Sequence, residues 1–258
     1  MIRAESLSLT LGGKSILRDV SFALAPGSVT VILGANGAGK SSLLGLLAGD
    51  RPASAGSLSW FGRPIGAWTA RDLARHRAVV PQASQLAFPF TVAEVVALGR
   101  LPHADPRRDA EALAAVRHRL SLETLWSRSF ASLSGGEQQR VQFARALAQL
   151  WHPPGDAPPR ALLLDEPTAA LDLKHQVLIL EEARSLAQRD GVTVVAILHD
   201  LTLAARIADR ALLLHRGALL RAGPIESVLE ADPLSTAYET PVSVLRHPDS
   251  GRLLVSAA

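Results

Sequence analysis

The stretch "SVTVILGANGAGKSSLLGLLAG" (residues 28–49) runs from an apolar segment through a glycine-rich turn into a helical pattern. Its middle part, "GANGAGKS" (34–41), matches the phosphate-binding pattern G-x-x-x-x-G-K-[ST] in full. In such a loop, backbone amides surround phosphate oxygens, the lysine reaches the β- and γ-phosphates and the hydroxyl can ligate Mg²⁺. A plain helix-capping turn would explain the glycines but not Lys40, because lysine occurs elsewhere only at positions 14 and 174. The sequence therefore predicts a nucleotide-phosphate site made by Gly34, Ala35, Asn36, Gly37, Ala38, Gly39, Lys40, Ser41 and Ser42.

Two further apolar runs end, like the first, at residues that could take part in catalysis or ligand binding. "ALLL" (161–164) leads into Asp165 and Glu166, and "VTVVAIL" (192–198) leads into His199. Continuous apolar runs are typical of parallel strands buried on both faces of a sheet. Because ligands bind beyond the carboxyl ends of such strands, we predict an α/β fold in which the three strand ends converge on one site.

Other segments depart from this strand and helix alternation. Residues 5–24 read as an antiparallel hairpin turning at Gly12-Gly13, and a second hairpin is predicted near Arg216-Gly217, followed by a helix and an extended end. Between about 91 and 150 the pattern is helical. We expect one domain, with the core and an N-terminal antiparallel β subdomain at about 1–87 and 156–258 and an inserted helical subdomain at about 88–155.

The polar residues at the strand ends have ordinary explanations as well as catalytic ones. Two carboxylates after a strand are commonly a solvated turn, and a lone histidine is commonly structural. With a phosphate loop in the same sheet, Asp165 suits a Mg²⁺-associated carboxylate and Glu166 a residue that orients or deprotonates water. His199 could contact a γ-phosphate.

The segment "SLSGGEQQR" (132–140) places two glycines where a helix should begin. Ser134 and Glu137 form the S-x-x-E pattern of a capping box. Gly135 and Gly136 are not explained by the cap, because glycine costs a helix roughly 1 kcal/mol against alanine. They suggest that another group must approach this backbone closely.

The composition is that of a globular protein and limits the partners. The 258 residues are 48% hydrophobic and 20% charged, and the net charge of +3 does not favour nucleic acid as the main partner. The absence of cysteine excludes disulfides and cysteine metal sites. The N-terminal residues do not form a signal peptide and the apolar runs are far shorter than the ~20 residues of a bilayer span, so we expect a soluble, cytoplasmic chain.

Four motifs follow one another along the chain: the phosphate loop, "LSGGEQQR", "ALLLDEP" (161–167) and "LHD" (198–200). In the order of these motifs the chain resembles the ATP-binding subunits of ABC transporters. The resemblance covers essentially the whole chain and implies the P-loop NTPase ABC ATPase fold. In that family, ATP with Mg²⁺ is held between two subunits. Ser134, Gly135 and Gly136 would then contact the nucleotide in the partner's phosphate loop, which would explain the glycine pair.

The resemblance also implies roles for single residues. Gln82, in "VVPQAS" (79–84), resembles the glutamine that reaches Mg²⁺ and attacking water, and Asp165 and Ser41 resemble the other Mg²⁺ ligands. Glu166 resembles the general base and His199 the switch histidine. Asp172 resembles the aspartate that communicates between paired sites.

The stretch "FPFTVAEVVALGRLPH" (88–103) resembles importers of iron-siderophores, cobalamin and haem, although it is also a plain amphipathic helix with a capping threonine. "FASLSGGEQQRVQFARALAQLW" (130–151) and the segment after it are most similar to hemin import ATP-binding proteins. This implies a second copy of the chain, two permease subunits, a periplasmic binding protein reached through them, and a peripheral place on the cytoplasmic face of the bacterial inner membrane. The alternative cargo is a siderophore or cobalamin. His103, His152 and His175 are expected to be surface residues, not haem ligands.

Other classes of protein fit less well. A P-loop kinase would share the phosphate loop but has no use for "LSGGE", and a non-transport ABC ATPase would carry a coiled coil or a second cassette. A regulatory module without hydrolysis is disfavoured by Glu166 and His199. One departure from the family is Leu11, near the place where an aromatic residue commonly stacks on adenine, and it predicts modest affinity with weak discrimination between ATP and GTP.

Overall fold

The computed structural model describes residues 1–82, 88–103, 105–153, 155, 157–169, 171–249 and 251–257. The predicted subdomain boundaries at 87 and 156, and residues 83–87 after Gln82, therefore lie outside the described residues. The strands are β1 (Ile2–Leu11), β2 (Lys14–Leu24), β3 (Val29–Leu33), β4 (Ala55–Trp60), β5 (Arg63–Pro64), β6 (Arg77–Val80), β7 (Ala161–Asp165), β8 (Thr193–Ile197), β9 (Arg210–His215), β10 (Ala218–Pro224), β11 (Val242–Arg246) and β12 (Leu253–Ala257). The helices are α1 (Lys40–Ala48), α2 (Ala70–His76), α3 (Val92–Ala97), α4 (Pro106–Arg119), α5 (Gly135–Leu150), α6 (Leu173–Asp190), α7 (Leu201–Ile207), α8 (Ile225–Val228) and α9 (Ala231–Tyr238).

The central sheet has the strand order β10-β9-β3-β8-β7-β6, with all neighbours parallel except β9 and β10. The three apolar runs of the sequence are β3, β7 and β8, and β8 lies between the other two. Their carboxyl ends therefore meet at one edge, as the sequence predicts. The N-terminal hairpin β1–β2 is also found and pairs with β4 in a separate antiparallel sheet.

Both faces of the central sheet are covered, which explains why its strands do not alternate between apolar and polar residues. On β3, Val31 and Leu33 belong to one hydrophobic core and Ile32 to the other. The first core also contains side chains of α3, α4, α5 and α6, and the second joins α1 to the antiparallel sheet. The helical segment is thus packed into the same core as the central sheet.

The predicted helical segment contains α3, α4 and α5, and a buried arginine in the turn after α3 links α4 to α5. Arg100 is 5% exposed, and its Nε donates to Asp109 Oδ1 of α4 at 2.7 Å. Its Nη1 donates to the carbonyls of Ala148 and Trp151 at the end of α5, at 2.8 and 3.1 Å. None of the described helices is both long and apolar enough to span a bilayer.

Candidate nucleotide-binding site

The phosphate loop connects the end of β3 to the start of α1. Lys40 is buried, and its Nζ donates to the carbonyls of Gly34 and Ala35 at 2.8 and 3.0 Å. The loop begins at Gly34 with φ at +140°, where an added Cβ would lie 2.3 Å from the carbonyl oxygen of Leu214 on β9. Only glycine fits this backbone and this space, so the first glycine of the pattern is required by packing as well as by phosphate.

The charged side chains of Lys40 and Asp165 lie where burial limits their contact with water. Burial lowers the pKa of Lys40, and the nearby carboxylates of Glu166 and Asp165 partly offset that effect. Burial raises the pKa of Asp165, with the charge of Glu166 acting in the same direction and a hydrogen bond from Ser41 opposing it. Ser41 Oγ donates to Asp165 Oδ1 at 3.3 Å, which joins α1 to the end of β7.

The carboxylate of Glu166 is held from two sides by residues of two other elements. Gln82 Nε2, two residues beyond β6, donates to Glu166 Oε2 at 2.7 Å. His199 Nε2, two residues beyond β8, lies 2.6 Å from Glu166 Oε1. Glu166 has φ of +49°, a conformation that costs a non-glycine residue energy and that clusters at functional sites. The structure therefore brings Lys40, Ser41, Gln82, Asp165, Glu166 and His199 into one connected group, as the sequence predicts.

One contact to the phosphate loop is missed by sequence reasoning. The backbone N–H of Gly34 donates to the hydroxyl oxygen of Tyr238, at the end of α9, at 3.2 Å. Burial raises the pKa of Tyr238. No motif marks this residue, which is 204 positions from Gly34; the only available signal is that it is the single tyrosine in the chain.

The remaining predicted site residues form a second group at a cleft between the N-termini of α5 and α6. The cleft has a volume of about 660 Å³ and is lined by Ser134, Gly135, Gly136, Glu137, Arg140, Asp172 and His175. The predicted capping box is present: Ser134 Oγ accepts from the backbone N–H of Glu137, whose carboxylate accepts from the N–H of Ser134 at 2.8 Å. Asp172 caps α6 in a similar way by accepting from the backbone N–H of His175 at 2.9 Å.

Within the described part of the chain, no hydrogen bond joins the cleft residues to the phosphate-loop group. The two halves expected to contact one nucleotide therefore form separate clusters in a single copy of the chain.

The histidines set aside in the sequence analysis are only partly exposed. His103 Nε2 lies 2.7 Å from the carbonyl oxygen of Gln149, and burial beside Arg100 lowers the pKa of His103 to about 4. His175 lies between Asp172 and Arg140 and hydrogen-bonds to both. Both are therefore engaged within the fold and are not freely exposed side chains.

Comparison with known proteins agrees with this geometry. The family described as ABC transporter matches residues 17–169, more than half of the chain. The chain belongs to this family. A hemin import ATP-binding protein of Pseudomonas fluorescens is 47% identical to this ABC ATPase over 258 residues, which is the whole of both chains. The protein of the same description from Pseudomonas aeruginosa is 45% identical over the same span.

Solved structures agree with the ABC ATPase fold. A chain from an inward-facing transporter described as of the metal-chelate type is 27% identical, has a TM-score of 0.80 and covers 100% of this chain and 97% of its own length. A bacterial ABC transporter cassette bound to ADP and Pi, solved as a dimer, is 26% identical with a TM-score of 0.75 and covers 87% of this chain and 99% of its own. The predicted family and fold class are thereby confirmed.

Proposed function

We propose that this ABC ATPase drives the import of hemin. The supporting observation is the identity of 45 to 48% over essentially full-length chains with proteins described as hemin import ATP-binding proteins. An ATPase subunit does not itself contact the cargo, so this assignment rests on relatedness and not on a cargo site. Ferric-siderophore import is the second candidate, supported by the likeness to a transporter of the metal-chelate type.

The residues at the carboxyl edge of the sheet suit ATP hydrolysis. Lys40, whose ammonium has three donors and gives two to loop carbonyls, has one left for a β- or γ-phosphate oxygen. We assign Glu166 as the general base toward an attacking water, and Gln82 and His199, which each contact one of its carboxylate oxygens, hold it in place. His199 and Gln82 would thereby orient the base and, as the family resemblance implies, lie next to the γ-phosphate of a bound nucleotide.

The residues also fit Mg²⁺. Ser41 Oγ and Asp165 Oδ1 are 3.3 Å apart and, with the amide oxygen of Gln82, are the hard oxygen donors that Mg²⁺ prefers. Among the described residues, no group of three or more His, Cys, Asp or Glu side chains could hold a metal alone, which suits an ion shared with nucleotide phosphates. When bound there, the ion would neutralise charge on the β- and γ-phosphates.

Two copies of the chain would complete the site. The helix N-terminus at Ser134, Gly135 and Gly136 offers amides and a positive dipole end to an anion, yet it belongs to a cluster separate from Lys40. In a head-to-tail dimer the cleft of each copy would cover the nucleotide of the other, with Asp172 at the contact. Solved cassettes with this fold form dimers.

We further propose that two permease subunits and, through them, a periplasmic binding protein complete the importer at the cytoplasmic face of the bacterial inner membrane. Phe88 and Leu101 lie within the segment 88–103 and are 68% and 72% exposed. Exposed apolar side chains in this segment, which follows Gln82 in the sequence, are suited to contact a membrane subunit.

Growth on defined iron sources tests the cargo. A strain without the gene would be supplied with hemin or with a ferric siderophore as sole iron source, and complemented with wild type, Glu166→Gln or the exposed control Glu111→Gln. We expect loss of growth on hemin alone, restored by wild type and by the control but not by Glu166→Gln. Failure on the siderophore with normal growth on hemin would move the cargo to the second candidate, and normal growth on both would contradict import of either.

A further inference from the structure

A single side chain connects the two helices that line the cleft. His175, in the first turn of α6, places Nδ1 2.8 Å from Asp172 Oδ1 and Nε2 3.1 Å from Arg140 Nη1 of α5. The imidazole is 28% exposed, whereas the Asp172 side chain that it contacts is 66% exposed. Within the part of the chain that the structure describes, the other hydrogen bond to the Asp172 carboxylate comes from the backbone N–H of residue 175.

The two neighbours of His175 indicate which ring nitrogen accepts a hydrogen bond and which donates one. A guanidinium has only donors, so Nε2 must accept from Arg140 and carry no proton. Nδ1 must then bear the single ring proton and donate it to the Asp172 carboxylate. The arrangement needs a neutral imidazole in one tautomer, because a proton on Nε2 would face the Arg140 guanidinium at 3.1 Å. Lys174 on α6 lies near the Asp172 carboxylate, and the Glu137 carboxylate on α5 lies near Arg140.

The residue that follows His175 on α6 contacts the segment that precedes Asp172. Gln176 Nε2 donates to the carbonyls of Thr168 and Leu171 at 3.2 and 3.0 Å. These carbonyls belong to the segment that runs from Glu166 to Asp172. One turn of α6 therefore contacts both the loop that begins at Glu166 and, through His175, the helix that begins at Gly135.

We propose that His175 is a positioning residue that ties Asp172 to α5 through Arg140. Under the dimer proposed above, on which this inference rests, the link presents Asp172 and the α5 N-terminus to the partner's nucleotide as one rigid unit. Loss of the link would leave nucleotide binding at the chain's own phosphate loop unchanged. It would slow ATP turnover, because Asp172 and the α5 N-terminus would have to be brought into position after the two copies meet.

Substitutions that remove one contact at a time test the link. His175→Ala removes both contacts. Asn can replace the Nδ1 donor toward Asp172 but does not reach Arg140, and Gln can replace the Nε2 acceptor toward Arg140 but loses the bond to Asp172. The control is Gln188→Ala, an exposed residue near the other end of α6. Steady-state ATP hydrolysis gives kcat, and equilibrium binding of a fluorescent ATP analogue gives the affinity of the phosphate loop.

We expect kcat to fall about tenfold in His175→Ala, the cost of one lost positioning contact, with nucleotide affinity within about twofold of wild type. Asn and Gln should each leave kcat reduced. Unchanged kcat in His175→Ala, or full recovery by His175→Asn, would overturn the proposal, the latter because the Arg140 contact would then be dispensable.

A double-variant comparison separates a link from two independent effects. If His175 acts through Arg140, adding His175→Ala to Arg140→Met should not lower kcat further, whereas multiplicative losses would contradict the link. Failure of wild type to hydrolyse ATP would instead count against the proposed function, so the two results are distinguishable.

Discussion

At the scale of single residues, the strand end that carries Asp165 and Glu166 is an unfavourable place for charge. Burial raises the pKa of Asp165, and Glu166 adopts a left-handed φ of +49°. Because the pKa of Asp165 is higher in the folded chain than in the unfolded chain, the folded state loses stability as the pH rises through the folded-state pKa. The site therefore keeps, at neutral pH, a carboxylate that works against folding.

Asp165→Asn should accordingly raise the melting temperature at neutral pH while abolishing Mg²⁺-dependent hydrolysis. The gain should disappear in acid, below the unfolded-state pKa, where Asp165 is protonated in wild type as well. Thermal unfolding over a pH series measures both effects. An equal or lower melting temperature at neutral pH would contradict the assignment of a destabilising charge.

Leu11, at the end of β1, is 40% exposed and offers an adenine base no aromatic face. The β2 strand lies close to the phosphate loop, because both contact Gly217. The backbone N–H of Arg18 on β2 donates to the carbonyl of Gly217, and the N–H of Gly217 donates to the carbonyl of Ala38 in the phosphate loop. Leu11→Tyr should therefore strengthen ATP binding by about tenfold, within the range of base–aromatic stacking. Calorimetric titration should show no change in Leu220→Tyr, a control with 41% exposure; equal gains in both variants would exclude stacking at position 11.

At the scale of elements, the close packing of α5 against the turn after α3 holds the helical segment together. An added Cβ at Gly99 would lie 2.2 Å from the backbone carbonyl oxygen of Arg145 on α5. A helix backbone cannot move aside without losing hydrogen bonds, so glycine is required here for close approach.

Gly99→Ala should lower the free energy of unfolding by about 1–3 kcal/mol, the usual cost of overpacking. Urea denaturation gives this value, with Gly66→Ala as control because its added Cβ meets nothing within 4 Å. A difference of less than a few tenths of a kcal/mol between the two variants would show that α5 can yield at this point.

At the scale of the whole molecule, the two clusters of site residues are separate in one copy, and under the proposed dimer they act together across two copies. Ser134→Arg should leave nucleotide binding nearly intact but prevent ATP-dependent dimerisation in a Glu166→Gln background, because the new side chain would occupy the surface that faces the partner's phosphate. Thr91→Arg is the matched control, since Thr91 forms the same capping box with Glu94 at the start of α3. Light scattering with and without ATP measures the association, and dimerisation of the Ser134 variant would contradict the proposed role of the glycine pair.

The sequence by itself predicted the fold class, the family and most of the candidate site residues, because each of these is encoded in a local sequence pattern. The loop "GANGAGKS" needs only its own glycines, Lys40 and the flanking strand, and the capping box of Ser134 and Glu137 spans four residues. Apolar runs without alternation identified β3, β7 and β8 as doubly buried strands, and strand ends in a parallel sheet must meet.

Only the tertiary structure decided how residues far apart in the chain meet. The bond from Gly34 to Tyr238, the two contacts that hold Glu166 and the link from Asp172 through His175 to Arg140 join separate elements. No spacing in the sequence encodes such contacts, because they depend on the packing of strands and helices against one another. Burial, which raises the pKa of Asp165 and lowers that of Lys40, likewise exists only once the whole core has formed.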